Sequence, residues 1–245
     1  MITKLPITWK NQPEEFSLKE NQIQIYCIEF NVLKPYLQQM TNLLFPVELI
    51  RADQFVFTRD RERFILARGF LRLLLGKFLA RSGAQIELAY TPHGKPYINN
   101  EYYSGDLQFN ISHAGDLLMI AIQKGHTVGI DVEFMRPSTD VLSLAKNYFS
   151  PLEFQTMQKL STHGQIELFF QLWTRKEAVL KNSGKGLSYS LADAEVLANN
   201  MVVTDMGIYF VASLPMEDNY QAAISSSNAF EVEHIQCWRI DKLIL

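Results

Sequence analysis

A carboxylate and an amine stand one helical turn apart in the second half of the chain. Glu177 and Lys181 continue a stripe of apolar residues, Ile166, Phe170 and Trp173, that recurs at helical spacing. Ionised groups are rarely placed on a core-facing line without a partner or a function. The alternative is an exposed i,i+4 ion pair that contributes roughly 0.2–0.5 kcal/mol to helix stability. The rest of the sequence has to decide between these interpretations.

Two further carboxylates, Asp131 and Glu133, are two residues apart in the apolar segment Thr127–Glu133. Alternate side chains of a strand point to the same face, so both carboxylates share one face of the predicted strand. His113 ends an alternating segment two strands earlier. If the three strands pair as a meander, His113 and Glu133 finish at the same edge, roughly 10 Å apart. We therefore expect a site at which a histidine and two carboxylates converge.

The elements that position these residues follow from hydrophobic periodicity and turn residues. Helical spacing predicts helices over 36–45, Phe64–Leu79, Val141–Tyr148, Leu152–Leu160 and Gln165–Lys181, and residues 47–81 form the section richest in predicted helix. Alternating or wholly apolar runs predict strands over Ile23–Phe30, Leu107–His113, Leu117–Ile122 and Thr127–Glu133, and a second antiparallel sheet over Leu187–Leu245. No internal repeat is visible. The mixture indicates an α+β protein.

Carboxylates on a strand and on a helix suggest a site for a hard cation with oxygen ligands. Mg²⁺ fits best, because it takes few protein carboxylates and completes its coordination with water and substrate phosphates. Zinc fits poorly, since the five histidines are dispersed and there is no cysteine pair. The chain lacks the G-x-S-x-G motif of serine hydrolases, and Gly184–Ser188 does not have Walker A spacing. Magnesium-assisted chemistry on a phosphate-bearing substrate is the favoured interpretation.

Bulk composition bounds the class of protein. The 245 residues are 47% hydrophobic and 20% charged, enough apolar content for one large or two small domains. The net charge of −3 argues against a dedicated nucleic-acid binder, but residues 51–81 carry a local excess of five positive charges. The chain shows no secretory leader, no apolar run long enough to span a membrane, and two distant cysteines, Cys27 and Cys237. These features predict a soluble cytoplasmic protein.

Two ordered motifs resemble a known family. The segment V-G-I-D-V-E at Val128–Glu133, followed about forty residues later by W-x-x-K-E-A-x-x-K at Trp173–Lys181, looks like the signature of the 4′-phosphopantetheinyl transferases. Further blocks at Gly94–Pro96 and Phe109–His113 agree with that family. The segment Arg72–Gly76 resembles a helix of its larger branch, which activates surfactin synthetase. The matches run from about residue 46 to residue 190.

The resemblance implies two similar α/β halves related by a pseudo-twofold axis, with coenzyme A in the cleft between them. We place the halves at residues 1–125 and 126–245, and a chain of double length implies a monomer. The implied activity is transfer of the 4′-phosphopantetheine moiety of coenzyme A to a serine of an acyl or peptidyl carrier protein. Adenosine 3′,5′-bisphosphate is the other product, and Mg²⁺ is the implied cofactor.

The resemblance also implies roles for individual residues. Asp131, Glu133 and Glu177 correspond to the magnesium ligands, with Glu177 also the candidate base and Lys181 a second catalytic residue. The residues implied to bind coenzyme A are Arg51, Arg72, His93, Gly94, Lys95, Pro96, Ser112 and His113. Two positions depart from the family pattern: Glu48 stands where a lysine is common, and His93 where an aromatic residue is often found.

Two other functions remain open from the sequence. One is a magnesium-dependent nucleotide pyrophosphohydrolase or phosphotransferase, which would release nucleotide without a carrier. The other is a non-catalytic module that binds coenzyme A or a carrier. The three acidic residues and Lys181 argue against such a module, since binding alone needs no base. The sequence does not name the carrier.

Overall fold

Two sheets lie between two long helices in the computed structural model, which describes residues 2–99, 106–185, 190–197, 200–217 and 219–243. The strands are β1 (Trp9–Asn11), β2 (Ile23–Glu29), β3 (Leu88–Tyr90), β4 (Pro96–Ile98), β5 (Leu107–Ala114), β6 (Leu117–Lys124), β7 (Val128–Phe134), β8 (Met201–Thr204), β9 (Gly207–Leu214), β10 (Tyr220–Ser226) and β11 (Ile235–Ile240). The helices are α1 (Phe30–Leu33), α2 (Leu37–Asn42), α3 (Pro46–Ala52), α4 (Thr58–Leu79), α5 (Val141–Tyr148), α6 (Pro151–Gln158) and α7 (Thr162–Ser183). The α+β class is confirmed.

The first sheet has the order β1-β11-β2-β6-β5 and the second the order β7-β10-β9-β8. Helix α4 packs on the outer face of the first sheet, and α7 with α5 and α6 packs on the outer face of the second. A third apolar cluster joins the inner faces of the two sheets, through side chains of β2, β6, β7, β9 and β10. The molecule is therefore layered as helix, sheet, sheet, helix.

The two halves of the molecule repeat the same order of elements, as expected for two similar halves. A seven-residue strand (β2 or β7) precedes a 22-residue helix (α4 or α7), which precedes an antiparallel hairpin (β5–β6 or β9–β10). In both sheets the last strand of the hairpin pairs with the first strand, so it becomes the central strand of the three.

The predicted meander is wrong. Strand β6 is paired on both sides, with β2 and with β5, so the chain leaves this sheet after Lys124 and β7 pairs with β10 instead. Strand β7 still lies beside β5. The backbone amide of Ile130 on β7 donates to the side chain of Asn110 on β5 at 2.8 Å. The C-terminal region is also not one antiparallel sheet: β11 joins the first sheet, parallel to β2 and β1. Residues 187–189, 198, 199, 218, 244 and 245 of the predicted C-terminal sheet lie outside the described residues.

Helix ends follow local chemistry. Ser150 and Ser161 cap α6 and α7 by accepting from the backbone amides of Glu153 and Gly164, which moves the start of α7 three residues ahead of the predicted one. Gly184 ends α7 in the left-handed conformation (φ 72°), as the Asn-Ser-Gly sequence predicts. Among the described residues, no helix combines the length and apolarity needed to cross a bilayer.

Gly129 sets the distance between β7 and α7. A Cβ atom at this position would overlap the carbonyl oxygen of Ala178 and the backbone of Asn182. Only glycine therefore allows the strand to lie this close to the last two turns of the helix. This close approach brings Asp131, two residues further along β7, to the side chain of Lys181 on α7.

Candidate active site

A cleft of about 870 Å³ opens where the end of β5 meets β7 and α7. Ser112 and His113 line it from the first sheet, and Trp173 lines it from α7. The charged residues of the cleft are those that the sequence singled out, namely Asp131, Glu133, Glu177 and Lys181. The strand and the helix that carry the two motifs thus present their acidic and basic side chains to one space.

A buried hydrogen-bonded cluster anchors the floor of this cleft. The ammonium group of Lys181 lies 2.6 Å from Asp131 Oδ1 and donates to Ser112 Oγ at 2.8 Å. The hydroxyl of Ser112 in turn donates to Asp131 Oδ1 at 2.9 Å. Asp131 and Ser112 are almost fully buried, whereas the side chain of Lys181 is 30% exposed. The cluster fixes Lys181 with part of its charge open to the cleft.

The three carboxylates repel one another. Burial is the main cause that raises the pKa of Glu133 to about 7; the nearby charges of Asp131 and Glu177 add to it, and that of Lys181 opposes it. Burial and the charge of Asp131 also raise the pKa of Glu177. Asp131 Oδ2 is buried without a hydrogen-bond partner among the described residues. A buried carboxylate oxygen without a partner destabilises the fold. The cleft also holds three carboxylates and one ammonium group, so the ammonium group does not balance its negative charge.

These residues fit a divalent cation, although the described residues contain no closed group of three metal-binding side chains. The donors are carboxylate oxygens, which Mg²⁺ prefers, and one of them, Asp131 Oδ2, has no partner. A cation would also offset the burial and the repulsion that raise the pKa of Glu133. Asp131, Glu133 and Glu177 are the residues that would hold it.

A second cavity, of about 380 Å³, adjoins the cleft. His113 lines both spaces, and Arg51, Arg63 and Arg68 line the second. Desolvation, together with the charges of Lys181 and Arg63, lowers the pKa of His113, so its ring is mainly neutral at pH 7. A neutral imidazole donates one hydrogen bond without adding charge.

The turn His93–Pro96 joins β3 to β4 and is close to the end of α7. Gly94 adopts φ 83°, and the hydroxyl of Thr91 accepts from the backbone amide of Lys95 at 3.1 Å. The Lys95 ammonium donates to the carbonyl oxygens of Val128 (3.1 Å) and Asn182 (3.0 Å). Burial lowers its pKa to about 8. Lys95 and Pro96 line a third cavity, of about 270 Å³, while His93 is exposed on the turn.

Arg72 lies in the core of the first half and is 1% exposed. Its Nε and Nη2 atoms are 2.9 Å and 2.7 Å from Glu48 Oε2, its Nη1 donates to the carbonyl of Ile86, and its guanidinium group stacks on Phe45. Arg72 therefore lines neither the cleft nor the second and third cavities. Glu48 also accepts from the backbone amide of Phe45 at 3.0 Å, which explains why an acid stands where the family pattern favours a lysine.

The sequence did not indicate several residues of the cleft. Asn147 and Tyr148 line it from α5, and Ser190, Leu191 and Ala192 line it from the segment after α7. A buried ion pair holds that segment: Lys176 is 2.8 Å from Glu153 Oε2 and donates to the carbonyls of Leu191 and Ala194. The Pro-x-Glu sequences that end at Glu48 and at Glu153 were the sequence signal that could have indicated these buried ion pairs.

Comparisons with known proteins agree with these features. Residues 29–125 match the family model described as the N-terminal part of 4′-phosphopantetheinyl transferase, and residues 127–224 match that of the 4′-phosphopantetheinyl transferase superfamily. The chain is 34% identical over 181 residues to the 4′-phosphopantetheinyl transferase HetI of Nostoc sp., covering 74% of this chain and 76% of that protein.

Two further relatives carry similar names. A putative 4′-phosphopantetheinyl transferase of Synechocystis sp. is 33% identical over 205 residues, covering 78% of this chain and 82% of that protein. The 4′-phosphopantetheinyl transferase Sfp of Bacillus subtilis is 28% identical over 154 residues, covering 63% and 66% respectively. The family models and the relatives together establish that this chain belongs to the 4′-phosphopantetheinyl transferases, which are enzymes.

Proposed function

We propose that this enzyme transfers the 4′-phosphopantetheine moiety of coenzyme A to a serine of an apo acyl or peptidyl carrier protein. In this reaction the serine oxygen forms a bond to the phosphorus that carries the pantetheine. The bond from that phosphorus to the bridging oxygen breaks, and adenosine 3′,5′-bisphosphate leaves with the electron pair. The observation that carries the proposal is the convergence of Asp131, Glu133, Glu177 and Lys181 beside an arginine-lined cavity.

Glu177 has the position and the basicity of a general base. Its side chain lines the cleft, and burial with the charge of Asp131 raises its pKa, which makes the ionised group a stronger proton acceptor. A serine hydroxyl is a weak nucleophile until its proton is removed. We assign to Glu177 the acceptance of the serine proton as the new bond forms.

Lys181 is assigned to the negative charge that develops on the phosphate oxygens. Asp131 and Ser112 hold its ammonium group in place before substrate arrives, so little reorganisation is needed during the reaction. Mg²⁺, held by Asp131, Glu133 and Glu177, would neutralise charge on the pyrophosphate and orient it. The neutral His113 would donate to a pyrophosphate oxygen at the boundary of the two cavities.

Coenzyme A would extend from the cleft along the surface of the first half. We assign its phosphates and adenosine to Arg51, Ser112, His113 and the turn His93–Pro96. For Arg72 the burial and the pairing with Glu48 favour a structural role over the direct contact that the resemblance implies. We also propose a cytoplasmic monomer whose halves divide at the turn between β6 and β7, at residue 125.

Intact-mass spectrometry of several apo-carriers tests this function. Incubation with the enzyme, coenzyme A and Mg²⁺ is expected to add one phosphopantetheine group to at least one carrier, and a carrier with its serine changed to alanine serves as control. Release of adenosine 3′,5′-bisphosphate in the absence of any carrier would instead indicate a hydrolase. Binding of coenzyme A with no turnover of any carrier would indicate a binding module.

A further inference from the structure

Strands β5 and β7 bring the two halves of the molecule together at the cleft, although they do not pair with each other. Each is the last strand of its sheet: in the described part of the chain, β5 pairs with β6 alone and β7 with β10 alone. The edge of β7 that faces the first half therefore presents backbone groups that no strand pairs with. Buried backbone groups need hydrogen-bond partners, so other groups of the first half must supply them.

Two side chains of the first half take the place of the missing strand. The Lys95 ammonium group donates to the carbonyl oxygen of Val128 at 3.1 Å. The side-chain oxygen of Asn110 accepts from the backbone amide of Ile130 at 2.8 Å. Val128 and Ile130 are two residues apart, so their backbone groups face the same edge of β7. Asn110 is only 4% exposed, so its hydrogen bond is shielded from competing water.

The hydrogen bond to Asn110 holds the residue that directly precedes Asp131. Asn110 and Ser112 are two residues apart on β5 and share one of its faces. Ser112 donates to Asp131 Oδ1 at 2.9 Å. One face of β5 thus fixes two consecutive residues of β7, Ile130 through its backbone amide and Asp131 through its carboxylate. The position of Asp131 therefore depends on Asn110 as well as on Ser112.

Helix α7 holds β7 from another side. A Cβ atom at Gly129 would overlap the backbone of α7, so the strand and the helix are already in close contact. Contact with α7 fixes the distance of β7 from the helix, and the bond to Asn110 fixes its position beside β5. Mg²⁺ demands near-ideal octahedral geometry. Asp131 and Glu133 on β7 must therefore keep their spacing from Glu177 on α7 if the three carboxylates are to share one ion.

We propose that Asn110 is a positioning residue for the metal site, because its side-chain oxygen holds β7 where the carboxylates of that strand and Glu177 can bind one divalent cation. This inference rests on the proposed function, in which those carboxylates hold Mg²⁺. Asn110 lines neither the cleft nor the two cavities beside it, and in this role it acts only through the amide of Ile130. Its loss should weaken Mg²⁺ binding as the loss of other outer contacts of metal ligands does.

Calorimetric titration of Mg²⁺ in the presence of coenzyme A tests the inference. Asn110→Leu keeps the approximate size of the side chain and removes the acceptor, so Mg²⁺ affinity should fall about tenfold. Asn110→Asp should recover most of that loss, because a carboxyl group in either protonation state offers an oxygen acceptor. Asn110→Ala removes the acceptor without adding apolar bulk, and it provides the same test if Asn110→Leu does not fold.

Gln123→Leu is the matched control. Gln123 is a fully buried residue of β6 whose Oε1 accepts from the hydroxyl of Ser226, on β10 of the second half, at 2.8 Å. The substitution removes the same kind of contact between the halves, at residues that do not line the cleft. Urea unfolding should show a loss of stability in both Gln123→Leu and Asn110→Leu. Only Asn110→Leu should lose Mg²⁺ affinity.

The positioning role of Asn110 would be overturned by Mg²⁺ affinity in Asn110→Leu equal to that of the wild type, or by equal losses in Asn110→Leu and Gln123→Leu. An Asn110→Asp variant as weak as Asn110→Leu would contradict it as well. Transfer to the carrier is measured separately. Failure of the wild type to modify any carrier, with the expected pattern of Mg²⁺ affinities, would refute the proposed transfer alone. Normal transfer with unchanged Mg²⁺ affinity in Asn110→Leu would refute this inference alone.

Discussion

The two halves of the molecule share a scaffold but differ in what the scaffold carries. In each half a Pro-x-Glu segment opens a short helix, and its glutamate is buried against a basic residue of the 22-residue helix: Glu48 with Arg72, and Glu153 with Lys176. Arg72 and Lys176 occupy the same position counted from the start of α4 and α7. Each also donates to backbone carbonyls of the segment after its helix.

The carboxylates of the cleft all belong to the second half. At the strand positions that correspond to Asp131 and Glu133, β2 has the buried residues Tyr26 and Ile28. At the helix position that corresponds to Glu177, α4 has Leu73. Tyr26 and Leu73 line a cavity of only about 20 Å³ there, in place of the cleft of about 870 Å³.

This difference teaches that the buried ion pair belongs to the scaffold and the carboxylates to the site. The pair occurs in both halves, whereas carboxylates occupy the matched strand and helix positions only in the second half, where the cleft opens. The first half has instead gained the arginine-lined cavity, since the position that corresponds to Arg68 in α7 is the buried Leu172. One half therefore carries the arginine-lined cavity and the other the acid-rich cleft.

Among the substitutions that test this difference between the halves, replacing Glu177 should have the largest effect on activity. We expect Glu177→Gln to lower kcat by about 10²–10⁴-fold, because the amide cannot accept the serine proton. Coenzyme A binding should weaken but stay measurable. Steady-state transfer to a carrier measures the change, with Glu167→Gln, an exposed glutamate of the same helix, as control. Unchanged turnover in Glu177→Gln would remove Glu177 from the mechanism.

Removing the basic partner of either buried pair should destabilise the protein by about 3–5 kcal/mol, because an uncompensated carboxylate stays in the core. Arg72→Met and Lys176→Met are the matched variants, and urea unfolding measures the free energy of unfolding. Adding Glu48→Gln to Arg72→Met, or Glu153→Gln to Lys176→Met, should restore part of the lost free energy of unfolding. A difference of several kcal/mol between the halves would show that the two pairs are not equivalent.

Lys95 links the halves, since its ammonium group on a turn of the first half donates to backbone carbonyls of β7 and α7. Lys95→Ala should raise the KM for coenzyme A about tenfold with a smaller change in kcat, through loss of a binding contact. The melting temperature should fall as well, because two buried carbonyls lose their donor. A pure kcat effect would contradict the proposed role.

The pH dependence of stability should reveal the crowded carboxylates. Burial raises the folded-state pKa of Glu133 from 4.5 to about 7, so the folded protein binds the proton more tightly than the unfolded chain. The resulting stabilisation is present below pH 4.5 and lost as the pH rises towards 7. Without Mg²⁺, the wild type should lose about 1–2 kcal/mol relative to Glu133→Gln between pH 5 and pH 8. Parallel profiles for the two proteins would contradict the raised pKa of Glu133, and added Mg²⁺ should remove the difference.

Sequence reasoning located the motif residues of the site but not the scaffold beneath them. Strand alternation and helix periodicity placed Asp131, Glu133, Glu177 and Lys181 correctly on their elements. The pairing of β7 was wrong because a turn residue does not show whether the next strand stays in the same sheet. The burial of Arg68 beside a cavity was missed because a basic residue next to an apolar stripe looks the same in sequence whether it reaches solvent or lines a cavity.

The duplication was expected from the family resemblance and not from a visible repeat, since the halves share positions and not residue types. Leu73 and Glu177, or Tyr26 and Asp131, have no chemical likeness that a search for repeats would find. The sequence similarity between the halves that can be seen is at Glu48 and Glu153, each of which follows a proline by two residues. The buried partners Arg72 and Lys176 became recognisable only through their contacts.

Calorimetric titration of Mg²⁺ into the enzyme with coenzyme A bound tests most directly that the three carboxylates of the second half share one divalent cation. The account predicts one Mg²⁺ per chain, and at least a tenfold loss of Mg²⁺ affinity in each of Asp131→Asn, Glu133→Gln and Glu177→Gln. Mg²⁺ affinity that is the same in all three variants as in the wild type would contradict it.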